Sequence, residues 1–118
     1  MSMREPERFT LTATGDSLVT RPFRAAGGRD IRALRRVLRQ GDAVFTNLET
    51  LFHTFSEGYP STESGGSYLA TPATCAEELR WLGFNLYATA NNHTIDWSEA
   101  AMRSTLDVLQ RLNVANAG

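Results

Sequence analysis

Three short polar clusters in this 118-residue chain hold side chains that can bind metal or move protons: Gly15-Asp16, Asn47-Leu48-Glu49 and Asn91-Asn92-His93. Each follows an apolar, β-prone stretch. Asp16 and Glu49 supply carboxylates, Asn92 an amide oxygen and His93 an imidazole. That donor set suits hard or borderline divalent cations such as Mn²⁺, Mg²⁺, Fe²⁺ or Zn²⁺. Cys75 is the only cysteine, which excludes an internal disulfide and a cysteine-built metal site. There is no G-x-S-x-G nucleophile elbow, and with all 12 basic residues Arg and none Lys there is no phosphate P-loop.

Neighbouring residues extend these clusters. Asn47 lies on the same side of an extended chain as Glu49 and could orient it. Asn91 reads as a turn former. Asp96 has two compatible roles: cap of the following helix, with Glu99 three residues on, or orienter of the His93 ring. His53 reads as a surface loop residue, and Trp81 and Trp97 as packing residues.

The elements that must position these groups alternate. "FTLTATGD" (9–16) is strand-like and stops at Gly15. In 29–42 a helix is predicted, with Ile31, Leu34, Val37 and Leu38 on one face and Gly41 as its stop. Arg32, Arg35, Arg36 and Arg39 cover the rest, read as a solvated face in preference to a phosphate patch. "DAVFTNLET" (42–50) is a short strand, and 51–70 a long loop broken by Gly58, Pro60, Gly65 and Gly66. Loops of that length are often functional, and Glu63, Ser64 and Tyr68 could close over a substrate. A helix over 71–83 takes Thr71 as N-cap and Pro72 as its first residue, with Cys75, Leu79 and Leu82 inward. A strand at 84–90 and a helix at 98–113 follow, the helix facing inward with Met102, Leu106, Leu109 and Leu112. "VANAG" (114–118) begins another strand.

Strands separated by helices indicate βαβ units and a mostly parallel sheet, and ligands of such sheets bind beyond the carboxyl ends of the strands. All three polar clusters fall there. The bulk numbers fit one globular domain: 42% hydrophobic, 21% charged, net charge −1. That charge gives no support to non-specific nucleic-acid binding. No apolar run is long enough for a transmembrane helix, and the start lacks the apolar core of a signal peptide.

"GDSLVTRP" (15–22), "DAVFTNLET" (42–50) and "GFNLYATANNHTIDWSEAAMRSTLDVLQ" (83–110) resemble the GD, NLE and NNH motifs of the CapA family, poly-γ-glutamate capsule biosynthesis proteins related to calcineurin-like metallophosphoesterases. "GYPSTESGGSYLATP" (58–72) is similar to the loop before the third motif, and the likeness runs from about residue 9 to residue 118. It implies an α/β fold, a β-sandwich flanked by helices, with only the N-terminal βαβαβα part present after a tail at 1–8. It implies two divalent ions at the strand ends, of Mn, Fe, Zn or Mg, held ~3.5–4 Å apart around an activated water. Asp16, Glu49 and Asn92 would be ligands, Glu49 bridging, and His93 would be the catalytic histidine facing the phosphoryl oxygens or the leaving group.

The wider fold takes further metal-binding histidines from later motifs, which His53 does not match. The chain is therefore expected to be the N-terminal part of a longer protein, poorly stable and barely active by itself. The expected function is metal-dependent phosphoester-type hydrolysis on a small-molecule or polymer substrate, linked to capsule synthesis. The alternative is a non-catalytic structural or partner-binding component of a polyglutamate synthesis complex. A plain nucleotide-binding domain is a weaker third reading, because no Gly-rich phosphate loop follows the first strand.

Overall fold

The strands that carry the three polar clusters stand side by side in one parallel sheet. The computed structural model describes residues 8–62 and 66–118; Glu63 and Ser64 lie outside the described residues. In chain order the elements are β1 (Leu11–Ser17), α1 (Arg29–Leu38), β2 (Ala43–Leu48), β3 (Leu51–His53), β4 (Ala70–Pro72), a 3₁₀ turn (Ala73–Cys75), α2 (Ala76–Leu82), β5 (Leu86–Ala88), α3 (Ser98–Arg111) and β6 (Ala115–Ala117). The main sheet runs β1-β2-β5-β6, with every neighbouring pair parallel. The α/β class is therefore the one the sequence indicates.

Because the strand order always steps the same way, right-handed crossovers put every helix on one face of this sheet. Burial agrees. Val44, Thr46 and Leu48 of β2 and Tyr87 of β5 are buried, and Leu38 of α1, Leu79 and Leu82 of α2, Val108 and Leu109 of α3 and Leu112 just after it share one core with Val44, Leu48 and Tyr87. Cys75 sits in that core, and its burial pushes the thiol pKa up, as expected for an inert small hydrophobe. The opposite face carries Leu11, Ala13, Ala43, Phe45, Leu86, Ala88, Ala115 and Ala117 in lateral register and is at most half-buried.

The predicted loop at 51–70 has ordered ends: β3 and β4 pair in parallel as a second, two-stranded sheet. Leu51 and Phe52 are too apolar to remain outside, and Phe52 N donates to Thr105 Oγ1 of α3 at 2.9 Å. This also corrects the start of the second helix. Thr71 and Pro72 lie in β4, and the fully buried Thr71 hydroxyl is 3.0 Å from Thr50 Oγ1. A hydroxyl used across strands is not available as a cap. Gly83 (φ 123°) ends α2 with its N–H on the carbonyls of Leu79 and Arg80.

Two helix faces also differ from expectation. Leu34 and Val37 of α1 are exposed, so Ile31 and Leu38 make the inward contact. In α3 the inner stripe is Ala101, Thr105, Val108 and Leu109, while Met102 and Leu106 are only half-buried.

β1 holds the decisive irregularity. Ala13 pairs with Phe45 but Asp16 pairs with Asn47, so β1 spends three residues where β2 spends two. That is a β-bulge, and it carries the strand through Gly15 to Ser17 instead of stopping it. Without the extra residue, residue 15 would face Asn47 and Asp16 would point into the helix layer. Thr46 holds the bulge: its hydroxyl is fully buried, donates to Gly15 O at 2.8 Å and lies 2.5 Å from Ser17 Oγ. Thr46→Val keeps the shape and removes these bonds. It is expected to cost about 1–2 kcal/mol of stability in chemical denaturation; an unchanged midpoint would show that the bulge does not depend on them.

Candidate functional site at the strand ends

The strand ends converge on one amide. Asn47 Nδ2 donates to Asp16 Oδ1 at 2.8 Å and to Glu49 Oε2 at 2.5 Å, tying the β1 carboxylate to the one that follows β2. Asn47 Oδ1 in turn accepts from Asn91 Nδ2 at 3.2 Å, and the same nitrogen donates to Leu48 O at 2.8 Å. Asn91 Oδ1 accepts the His93 N–H at 2.9 Å, an Asx turn closing the segment after β5. Thr94 locks that turn: its hydroxyl lies 2.7 Å from Thr89 O and 2.8 Å from Asn91 O and accepts from Asn91 N at 2.9 Å.

His93 stands between two carboxylates. Its Nδ1 is 2.7 Å from Asp96 Oδ2, and its Nε2 is 3.7 Å from Glu49 Oε1. Asp96 is 1% exposed, and the same Oδ2 accepts the Leu69 N–H at 2.7 Å. The Asp96 carboxylate thus engages Nδ1 and turns Nε2 toward Glu49. Of the two contacts open to Asp96, the carboxylate makes the one to the His93 ring. The capping role is corrected: Trp97 occupies the N-cap of α3 with no side-chain cap bond, because the Asp96 carboxylate is turned inward. Glu99 pairs instead with Arg103, 2.5 Å away.

Asp16, Glu49, His93 and Asp96 are thus brought together, with Asn47 and Asn91 lacing them. Asn92 is placed differently. It is exposed, and its side chain hydrogen-bonds to none of the described residues. Among the described residues no three His, Cys, Asp or Glu side chains stand in metal-holding geometry. Two carboxylates and amide groups nonetheless meet at one point. Asp16 and Glu49 both aim at the Asn47 nitrogen, a partly positive group, and neither pairs with an arginine among the described residues. Carboxylate oxygens are the donor type that hard cations take.

Beside His93 opens a cavity of about 460 Å³ with an apolar wall of Leu48, Leu51, Ala90, Ile95, Met102 and Leu106. Trp97 meets Tyr68 edge-on, ring centres 6.2 Å apart, and Tyr68 OH donates to Ser61 O, so the loop is packed against the helix start.

His53 corrects the surface reading. It is fully buried in β3, its ring 4.7 Å from Phe55 and 5.2 Å from Trp97. Nothing in "LFHTF" marks this except the two apolar residues before it, since burial follows from α3 packing on β3. Its Nδ1 accepts from Phe55 N at 3.1 Å, and Nε2 has no partner among the described residues.

The strand-end cluster defines a class: an α/β domain with acidic, amide and imidazole groups gathered at the carboxyl end of a parallel sheet. The chain belongs to the bacterial capsule synthesis protein family PGA_cap, whose model matches residues 10–118. It is similar to two proteins of Sinorhizobium fredii (strain NBRC 101917 / NGR234), the uncharacterized proteins y4sH and y4uA. Each is 33% identical over 112 residues, which cover 93% of this chain and 24% of the relative. The chain thus spans about a quarter of the length of these curated relatives. Among the described residues no helix is long and apolar enough to cross a membrane.

Burial lowers the His53 pKa below its usual 6.5, with Glu57 opposing weakly. The folded state then binds fewer protons than the unfolded one around that pH. The His53 contribution to stability is present above pH 6.5 and is lost as pH falls below it. His53→Gln should flatten the acid limb of a stability-versus-pH curve measured between pH 7 and 5; an identical slope would place its proton affinity at the unfolded value.

Proposed function

We propose that this domain supplies one side of a divalent-metal site and the proton-transfer histidine of a hydrolytic centre, acting on a phosphoester or related bond in a protein of capsule synthesis. The observation that carries the proposal is His93 held by Asp96 at 2.7 Å with Nε2 turned toward Glu49, beside an Asp16–Asn47–Glu49 cluster. In this reading Asp16, Glu49 and Asn92 would hold divalent ions such as Mn, Fe, Zn or Mg, with Glu49 in the role the family resemblance gives to a bridging ligand. The exposed Asn92 would have to turn toward the carboxylates. Asn47 and Asn91 are better placed, and either could present its amide oxygen instead.

When bound, such ions supply an activated water and charge stabilisation for the attacked group. The residues of this chain do the rest. Asp96 fixes the ring, and His93 Nε2 gives a proton to, or takes one from, a group lodged above Glu49. The apolar cavity beside His93 is open to the uncharged part of a substrate.

The second reading is a non-catalytic component of a polymer synthesis complex that keeps the cluster for its fold. It is favoured by the Asn47 hub, which satisfies both carboxylates without any ion. Turnover of phosphoesters by the full-length protein, with and without added Mn²⁺, separates the two. His93→Ala is expected to lower metal-stimulated turnover by roughly 10²–10⁴-fold, and Asp96→Asn by roughly 10–100-fold. Asp16→Ala should weaken metal binding in calorimetry. Unchanged turnover in His93→Ala would sink the catalytic reading.

A further inference from the structure

The chain between β3 and β4 comes down on one short stretch, Asp96-Trp97-Ser98. Ser61 N donates to Asp96 O at 2.8 Å, and Tyr68 OH donates to Ser61 O at 2.5 Å. Leu69 N donates to Asp96 Oδ2 at 2.7 Å, the oxygen that also meets His93 Nδ1. The rings of Phe55 and Tyr68 stand edge-on to Trp97, with centres 6.1 and 6.2 Å away. Gly58 makes the closest approach: a Cβ there would strike Trp97 O and press on Ala101 Cβ and Ser98 Oγ. The first of these is main chain and cannot swing aside, so only glycine fits.

Two non-glycine residues take positive φ at this contact, Phe55 at 69° and Ser98 at 72°. Such backbone persists only where the surroundings over-determine it, and it gathers at working sites. The seat matters because of what Asp96 lacks. Its Oδ1 is buried and has no partner among the described residues. Among those residues the carboxylate therefore has two contacts, both on Oδ2: His93 Nδ1 and the Leu69 N–H. A buried carboxylate that loses one of two partners is left poorly compensated and turns toward any other donor within reach. The orientation of His93 thus depends on a main-chain N–H whose place is set by how the loop sits. The Tyr68–Ser61 bond is the link, since it ties the limb carrying Gly58 to the limb carrying Leu69.

We propose that Gly58 is a positioning residue for His93. It lets the loop seat on the start of α3; the seated loop delivers the Leu69 N–H to Asp96; and Asp96 holds the imidazole with Nε2 toward Glu49. Gly58 acts through the main chain of its loop and through Asp96, never on a substrate directly. Its effect on turnover rests on the reading of His93 as the proton-transfer residue. Its effect on the His93 ring does not.

The test uses the full-length protein carrying ¹³Cε1-labelled histidine, the His93 signal being the one lost in His93→Gln. Asp96→Asn supplies the signal of a ring without its carboxylate. Gly58→Ala is expected to move the His93 signal toward that position. It should also lower kcat for p-nitrophenyl phosphate with Mn²⁺ roughly tenfold, with KM within about twofold of wild type. Tyr68→Phe breaks only the link between the two limbs and should act in the same direction by less; it decides the question if Gly58→Ala does not fold. Gly41→Ala controls for general loosening, because a Cβ there strikes Ala43 O at the opposite end of the sheet, and it should leave the signal in place. An unmoved His93 signal in the folded variant, or an equal movement in Gly41→Ala, would overturn the proposal. So would a moved signal with unchanged kcat in an active protein. A wild type without turnover, whose His93 signal still responds to Gly58→Ala, sinks the hydrolytic reading and supports the positioning.

Discussion

The extra residue that β1 inserts opposite β2 is the constraint on which the strand-end cluster depends. In a strand the side chains alternate, so a one-residue change of register moves every later side chain to the other face. Asp16 is on the face of Asn47 only because the bulge intervenes between Ala13 and Asp16. Once there, its carboxylate is within reach of the amide that also holds Glu49. The same bulge places Ser17 inward, against the buried Thr46. One backbone irregularity thus seats an acid on one side of the sheet and closes the core on the other.

The one-sided helix layer is the second organising fact. Three helices and the two short strands β3 and β4 crowd one face of the sheet, while the other shows a run of alanines with Leu11, Phe45 and Leu86. Asp16 and Asn47 lie at the carboxyl edge of that second face, whereas His93 and Asp96 are fixed from the helix side. The two halves of the cluster therefore answer to different parts of the fold.

Polar residues inside the helix layer do structural work that the sequence disguises. Thr105 looks like an ordinary mid-helix residue, yet its hydroxyl accepts the Phe52 N–H and so fastens β3 to α3. Asp96 resembles a helix cap by its position before "WSEA", yet its carboxylate serves Leu69 and His93. In both cases a residue type suited to a local bond is taken by a segment distant in sequence. Local patterns cannot report that, because the partner is supplied by tertiary packing.

The sequence by itself determined the alternation of strands and helices, the parallel class of the sheet, the burial of Cys75 and the placing of three polar clusters at strand ends. These follow from short-range rules: apolar periodicity, glycine stops and the tendency of polar residues to collect where strands finish. It also marked Asp16, Glu49 and His93 by type, and allowed Asp96 to be an orienter. Only the tertiary structure decided that Asn47 and Asn91 are the hubs, that Asn92 faces outward, that His53 is buried under Trp97, and that Gly58 lies against the Trp97 carbonyl. Each of those depends on which segment lies across from which. Register and packing set that, and residues far apart in the chain fix it only when they meet.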